Sequence, residues 1–210
     1  MKKMMLVAAM LGVCALYGAA ADPEAQIKEA EAILAEKTDY KSRYKATMDK
    51  FNAMRKLKQY DAAEKFLLDA VKNDSKLTAS IKRNILNHLA GLNLWNGRHG
   101  FAMGLLQQAA ELKVSHREAA YFYSYWYQAH LYNSRFKELQ KAIDTLALIT
   151  NDKLIHPAYV SDSYGLMGAI YLKLDKKAEA LDAYKKAVEF GQKGKRKTAN
   201  YEKQVELLSK

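Results

Sequence analysis

The 210-residue chain predicts an all-α fold built from repeated helical hairpins, and three observations carry that expectation. Two Pro and ten Gly are too few for a turn-dense β protein. After Asp22, apolar residues recur at helical spacing almost everywhere, in segments of roughly 15 to 22 residues divided by short polar breaks. Small and aromatic residues also return together at long, nearly even intervals, the mark of one hairpin following another. With 50% hydrophobic and 27% charged residues, the chain is globular in composition and long enough for one domain with a sizeable core.

The N-terminus predicts export. Lys2 and Lys3 precede an uncharged run from Met4, which ends in Gly18, Ala19, Ala20 and Ala21. Charged, apolar and small-residue regions in that order read as a secretory signal peptide over 1–21, with cleavage after Ala20 or Ala21. The alternative is an uncleaved anchor, since the run from Met4 to Ala21 approaches the length needed to span a bilayer. Cys14 follows Val13 rather than a small residue, which argues against a lipoprotein signal. Cleavage would lower the formal charge from +11 to +9 and remove the single cysteine. A periplasmic or secreted chain without cysteine must be held by its core alone.

Asp22, Pro23 and Glu24 start the first helix, with a capping acid followed by Pro in the first turn. That N-terminal capping helix is expected within 22–40. Polar breaks then fall near 73–76 (NDSK), 96–100 (NGRHG), 113–116 (KVSH), 133–135 (NSR), 150–157 (TNDKLIHP), 174–176 (LDK) and 191–195 (GQKGK). The pieces between them are the length of paired antiparallel helices joined by short turns. They give hairpins over about 41–73, 77–112, 116–150 and 157–191, followed by a basic linker and a C-terminal capping helix over 192–210.

The last hairpin is the most regular. Tyr164, Met167, Gly168 and Tyr171 are followed by Ala180, Tyr184 and Ala187. Small residues at 168 and 180 let the two helices cross closely, and the rings fill the space beside the crossing. This pattern resembles the tetratricopeptide repeat, W-x2-L-G-x2-Y then A-x3-F, with Gln192 where the closing Pro would stand. Leu86, Leu89, Ala90 and Asn93 with Ala102, Leu106 and Ala109 form a second copy. Phe51 and Met54 with Ala63, Leu67 and Ala70 form another. The remaining copy pairs Tyr123, Trp126 and Tyr127 with Leu139, Ile143 and Leu146, which puts large side chains where small ones belong. In that register Ala63, Ala102, Leu139 and Ala180 lie 39, 37 and 41 residues apart. The resemblance implies a right-handed superhelical solenoid of about four hairpins between capping helices.

It also implies a function. In such folds the first helices of successive repeats line a concave groove that holds a peptide or partner protein. Carried onto this chain residue by residue, the groove positions are Lys45, Met48 and Asn52, then Asn84, Asn87 and Gly91. Tyr121, Ser124 and Gln128 follow, then Asp162, Gly165 and Ala169. The set is mostly small or polar, as suits an extended chain bound through hydrogen bonds. Within the aromatic run YFYSYWY at 121–127, the register turns Tyr123, Trp126 and Tyr127 toward the partner helix. It turns Phe122 and Tyr125 toward neighbouring repeats and leaves Tyr121 in the groove.

Catalysis is not expected, because nucleophile elbow, phosphate loop and HExxH pair are all missing from the sequence. The five histidines fall in different segments with no ligand spacing between them, so no metal or cofactor is expected. A hydrolase acting on envelope polymer would need two converging carboxylates, and only Asp162 occupies a groove position. The basic residues are spread along the helices, which favours solvated faces and a weak attraction to an anionic envelope surface over specific nucleic-acid binding. Self-assembly into a structural protein is the remaining alternative, with the oligomeric state left open.

Overall fold

A computed structural model describes residues 22–36 and 39–210; the expected signal segment, 1–21, lies outside them. Among the described residues there are ten α-helices, one π-helical turn and no strand. The described residues divide into two compact units, one up to Phe66 and one from Leu67 onward.

The first unit holds α1 (Pro23–Glu36), α2 (Tyr40–Lys56) and the start of α3 (Tyr60–Asn73). Asp22 accepts from the Glu24 amide at 3.2 Å, and Asp39 caps α2 by accepting from the Ser42 amide at 2.9 Å, offsetting amides that have no partner inside a helix. Ala30, Ala46 and Ala53 are buried, small enough for α1 to lie close along α2. Lys50 reaches Glu31 at 2.6 Å and stands 4.7 Å over the Phe66 ring.

The second unit continues through α4 (Ala79–Trp95), α5 (His99–Glu111), α6 (Ala119–Leu131), a π-helical turn (Tyr132–Phe136), α7 (Leu139–Thr150), α8 (Pro157–Lys173), α9 (Lys177–Lys193) and α10 (Ala199–Leu208). Thr78 accepts from the Ile81 amide at the start of α4. At the start of α8, His156 accepts from the Ala158 amide beside Pro157. The turns inside the hairpins close on left-handed residues: Gly97 (φ 76°), Lys137 (φ 57°) and Asp175 (φ 56°). The two lacking glycine accept the modest strain of that region so that the chain can reverse.

Three hairpins, α4–α5, α6–α7 and α8–α9, pack in succession, and α10 packs against α9. Each crossing is built on small residues. Ala90 and Ala102 are fully buried in the first. In the last, a Cβ added to Gly168 would sit 2.9 Å from the Tyr184 ring.

The middle hairpin corrects the sequence register. Its fully buried crossing residues are Ala129 on α6 and Ala142 on α7, followed by fully buried Leu146 and Ile149. Leu139 is only half-buried. The reason is the π-helical turn, which inserts one residue between the crossing positions. Ala129 and Ala142 are 13 apart, whereas Ala90 to Ala102 and Gly168 to Ala180 are each 12. With Ala142 as its anchor, the interval from Ala63 onward becomes 39, 40 and 38, more even than first read.

A second correction concerns the basic linker expected at the start of 192–210. Helix α9 runs on to Lys193, and a Cβ on Gly194 would meet the Ala158 amide nitrogen at 2.4 Å. Arg196 bonds to Asp162 at 2.6 Å, and Thr198 is buried. The segment is a packed turn that sets α10 against α8. No helix of the described residues is long and apolar enough to cross a membrane.

Candidate binding face

The groove residues inferred from the repeat pattern fall into two groups. In the first unit Lys45 is exposed, while Met48 and Asn52 are half-buried. In the second unit Asn84, Tyr121, Asp162 and Ala169 are half-buried, but Asn87, Ser124, Gln128 and Gly165 are buried. The buried polar atoms are already partnered. Ser124 Oγ donates to Asn87 Oδ1 at 2.9 Å, Asn87 Nδ2 donates to the Ala120 carbonyl at 2.9 Å, and Gln128 Nε2 donates to the Leu106 carbonyl at 3.3 Å. These side chains join α6 to the preceding hairpin and leave little with which to hold a ligand.

At the centre of that network is Arg83, 1% exposed, whose position the sequence reading passed over as one more solvated charge. Its Nε donates to Ser124 Oγ at 2.8 Å and Nη1 to the Leu112 carbonyl at 3.2 Å. The Tyr121 and Tyr125 rings lie 4.8 and 5.4 Å from the guanidinium carbon. Burial lowers its pKa, and the neighbouring tyrosines and Glu118 counter that shift. Carbonyl dipoles and ring faces thus replace the water that a buried cation loses. The signal was present in the spacing: Arg83, Leu86, Asn87 and Ala90 stand at i, i+3, i+4 and i+7, along the inward stripe of α4.

Tyr121 therefore serves Arg83. It also stacks on His116, with ring centroids 4.2 Å apart, and burial pushes its hydroxyl up to about 12. His116 in turn bonds to Asp152 at 2.5 Å, linking the loops that precede α6 and α8. Phe122 stacks on Tyr159 of α8 with centroids 4.3 Å apart, so it faces the following hairpin as expected. Trp126 is half-buried against the core and stands edge-on to His130 at 4.0 Å.

The exposed ring of the run is Tyr123, not Tyr121, because the corrected register rotates the outward face of α6 to Tyr123 and Tyr127. These two rings stack with centroids 5.8 Å apart, and Tyr123 lies 6.1 Å from Tyr159. Desolvation raises the pKa of Tyr123, with Asp162 and Arg196 close enough to act on it in opposite directions. Tyr201 of α10 closes the row: a Cβ on Gly165 would stand 2.4 Å from its ring. Burial pushes the hydroxyls of both Tyr127 and Tyr201 up to about 12, so they stay protonated donors.

Asp162 and Arg196 form the charged centre of this face, at 2.6 Å and partly open to solvent. Burial raises the Asp162 pKa while Arg196 lowers it, and the hydrogen bond that Arg196 donates to the carboxylate raises its own. At that distance the two remain an ion pair. The face offers tyrosine rings, phenolic donors and one paired charge centre, on side chains fixed by helices α6, α8 and α10 and by the turn before α10.

Comparison with solved structures places the architecture. The chain aligns with the crystal structure of BtubC (BKLC) from P. vanneervenii at a TM-score of 0.62 and 14% identity, over 90% of this chain and 84% of that one. A kinesin-light-chain-like protein of nearly identical TPR-like repeats from Podosopora anserina aligns at 0.56 and 16% identity, over 85% and 100%. This chain has a tetratricopeptide-like repeat fold. At such identities the likeness concerns the fold alone. No family model matches the chain. No curated protein matches it either.

Proposed function

We propose that the chain is an exported, noncatalytic adaptor that holds an extended segment of a partner protein across α6, α8 and α10. Stacked helical repeats in general present extended surfaces for binding other proteins. The observation that carries the proposal is the row of rings from Tyr123 and Tyr127 through Tyr159 to Tyr201, beside the Asp162–Arg196 pair. Tyrosine brings large contact area with few rotatable bonds, and rigid rings with a polar tip are common anchors at interfaces. The polar residues that the repeat pattern nominated, Asn87, Ser124 and Gln128, are engaged inside the fold, so the specificity is assigned to the tyrosine face.

Selection from a random-peptide display library tests this reading. Peptides enriched on the wild-type chain should lose about tenfold or more in affinity for Tyr123→Ala, and retain affinity for a change at exposed Lys185 on α9. Selected peptides that bind both variants equally would overturn it. Export has its own measurement: intact mass of the protein from its native cells should correspond to a start at Ala21 or Asp22.

A further inference from the structure

A second surface lies on the edge formed by the turns inside the hairpins of the second unit. The α4–α5, α6–α7 and α8–α9 turns come at the same end of their hairpins, because the helices alternate in direction. Lys173 at the end of α8 donates to Asn133 Oδ1 in the π-helical turn at 2.6 Å, tying two of the turns together. Along this edge Trp95 is 72% exposed, Phe101 45% and Phe136 39%.

These rings have cations for company. Segments 95–101, 132–138 and 173–177 carry six Lys or Arg against two Asp or Glu. Arg98 stands 5.7 Å from the Phe101 ring, and Arg135, Lys137, Lys176 and Lys177 are all exposed. Glu138, one of the two acids, is paired with Lys141 at 2.6 Å. The opposite edge, at 74–78, 112–118, 151–156 and 194–198, has a similar excess, seven basic residues against three acidic, but contains no Trp, Tyr or Phe. Charge alone does not set the two edges apart; the exposed rings do.

We propose that this ring-bearing edge docks on an anionic lipid surface, with Trp95, Phe101 and Phe136 entering the headgroup region and the flanking cations meeting lipid phosphates. Aromatic rings favour the membrane–water interface. Basic residues beside them add electrostatic attraction to anionic lipid. A polyanion in solution would satisfy the cations but would leave three large rings in water. The tyrosine face lies on the flank of the same helices, so docking by the edge leaves it open to a partner.

Sedimentation with vesicles tests the proposal, using the chain as isolated from its own cells and comparing every variant in the same form. Vesicles of equal parts phosphatidylcholine and phosphatidylglycerol should bind it, and phosphatidylcholine alone should bind it weakly. Joint replacement Trp95→Ala, Phe101→Ala and Phe136→Ala should lower binding about tenfold or more with melting unchanged. Arg135→Gln, Lys176→Gln and Lys177→Gln together should lower it far more than Lys113→Gln, Lys153→Gln and Lys195→Gln on the opposite edge. Mixed vesicles should also shift the tryptophan emission to the blue, and Trp95→Phe should abolish that shift. Failure to bind mixed vesicles would overturn the proposal, as would equal losses from the two sets of charge changes. Binding that survives loss of the rings but not of the charges would mark the edge as a general polyanion site. A dimer that the ring variants dissociate without vesicles would make it a contact between copies. Either of these last outcomes removes the lipid assignment and leaves the tyrosine face untouched.

Discussion

Hairpins α8–α9 and α6–α7 solve one packing problem with different side chains. In α8–α9 the crossing is Gly168 against Ala180, twelve residues apart, with the Tyr184 ring seated on the glycine. In α6–α7 it is Ala129 against Ala142, thirteen apart, with the extra residue absorbed by the π-helical turn Tyr132–Phe136. The small residues fix the crossing in both. The large ones go wherever the crossing leaves room: Tyr164 and Phe190 stack beside the first, while Tyr123 and Tyr127 are displaced to the outside of the second. Bulk is a poor guide to register in a helical hairpin, and two small residues that must touch are a good one.

The largest effect should come from breaking the middle crossing. Ala142→Leu forces extra methylenes between α6 and α7, where Ala142 is fully buried, and should destabilise the protein by about 3 kcal/mol, the upper part of the range for overpacking. Leu139→Ala, the change that would open the crossing in the register first read from sequence, should cost no more than about 1 kcal/mol, because Leu139 is only half-buried. Chemical denaturation of both variants checks the pair. The reverse order would restore the sequence register.

Hydrophobic period, polar breaks and the Gly168–Ala180 pattern made the all-α hairpin architecture legible before any coordinates. Two kinds of information were not. A π-helical turn has no sequence mark in YNSRF, since one inserted residue between helices looks like any other turn, and the error it introduced rotated α6. Buried polar side chains were the other. Arg83 and Asn87 occupy core-facing positions on α4 that composition alone scores as surface, and only the neighbouring Tyr121, Tyr125 and Ser124 show what offsets their burial. The candidate face was hidden by both: the sequence register put Tyr121 in the groove beside Asp162 and turned Tyr123 inward, whereas Tyr123 is the exposed ring.

A pH effect of intermediate size should distinguish the same two hairpins. His130 on α6 is half-buried, and desolvation of its ring, aided by Lys173, lowers its pKa to about 4 from an ordinary 6.5. The unfolded chain therefore binds more protons between those values, so the stability contributed by the neutral imidazole is complete above about 6.5 and is lost as the pH falls toward about 4. The loss at about pH 5 should be about 2 kcal/mol. His130→Leu should flatten this slope when thermal melts are compared at neutral and mildly acidic pH. An unchanged slope would place the titration elsewhere.

A smaller effect is expected at the turn behind α9. Neutralising Lys193, Lys195, Arg196 and Lys197 together should cost about 1 kcal/mol, and Arg196→Gln alone should account for nearly all of it. Arg196, in the turn before α10, holds Asp162 on α8, whereas Lys193 reaches Glu189 and stands 5.2 Å from the Phe190 ring, both on its own helix. The ion pair is half open to solvent, which keeps its contribution near the upper end for surface pairs. Melting of the single and quadruple variants separates the two cases. Equal contributions from all four residues would mean that the turn is held by net charge rather than by this one bond.

The smallest effect on stability should belong to the residue with the largest effect on binding. Tyr121 and Tyr123 are two positions apart on α6 and point to different sides. Tyr121→Ala uncovers the Arg83 guanidinium and removes the stack on His116, so it should lower stability by about 1 kcal/mol, in keeping with loss of one cation–π contact and partial desolvation. Tyr123, 37% exposed, gives up contacts with Tyr127 and Tyr159 that solvent already shares, and Tyr123→Ala should stay within about 0.5 kcal/mol of wild type. The order reverses for ligand: peptides selected on the wild-type chain should dissociate faster from Tyr123→Ala and bind Tyr121→Ala with unchanged affinity, since rings that stand out beside a charged pair anchor a partner and rings that cover a buried cation do not. Denaturation and surface-plasmon kinetics on the two variants side by side measure both orders. If Tyr121→Ala were the variant that released peptide, the outward face of α6 would have to be turned back by the two positions that separate them.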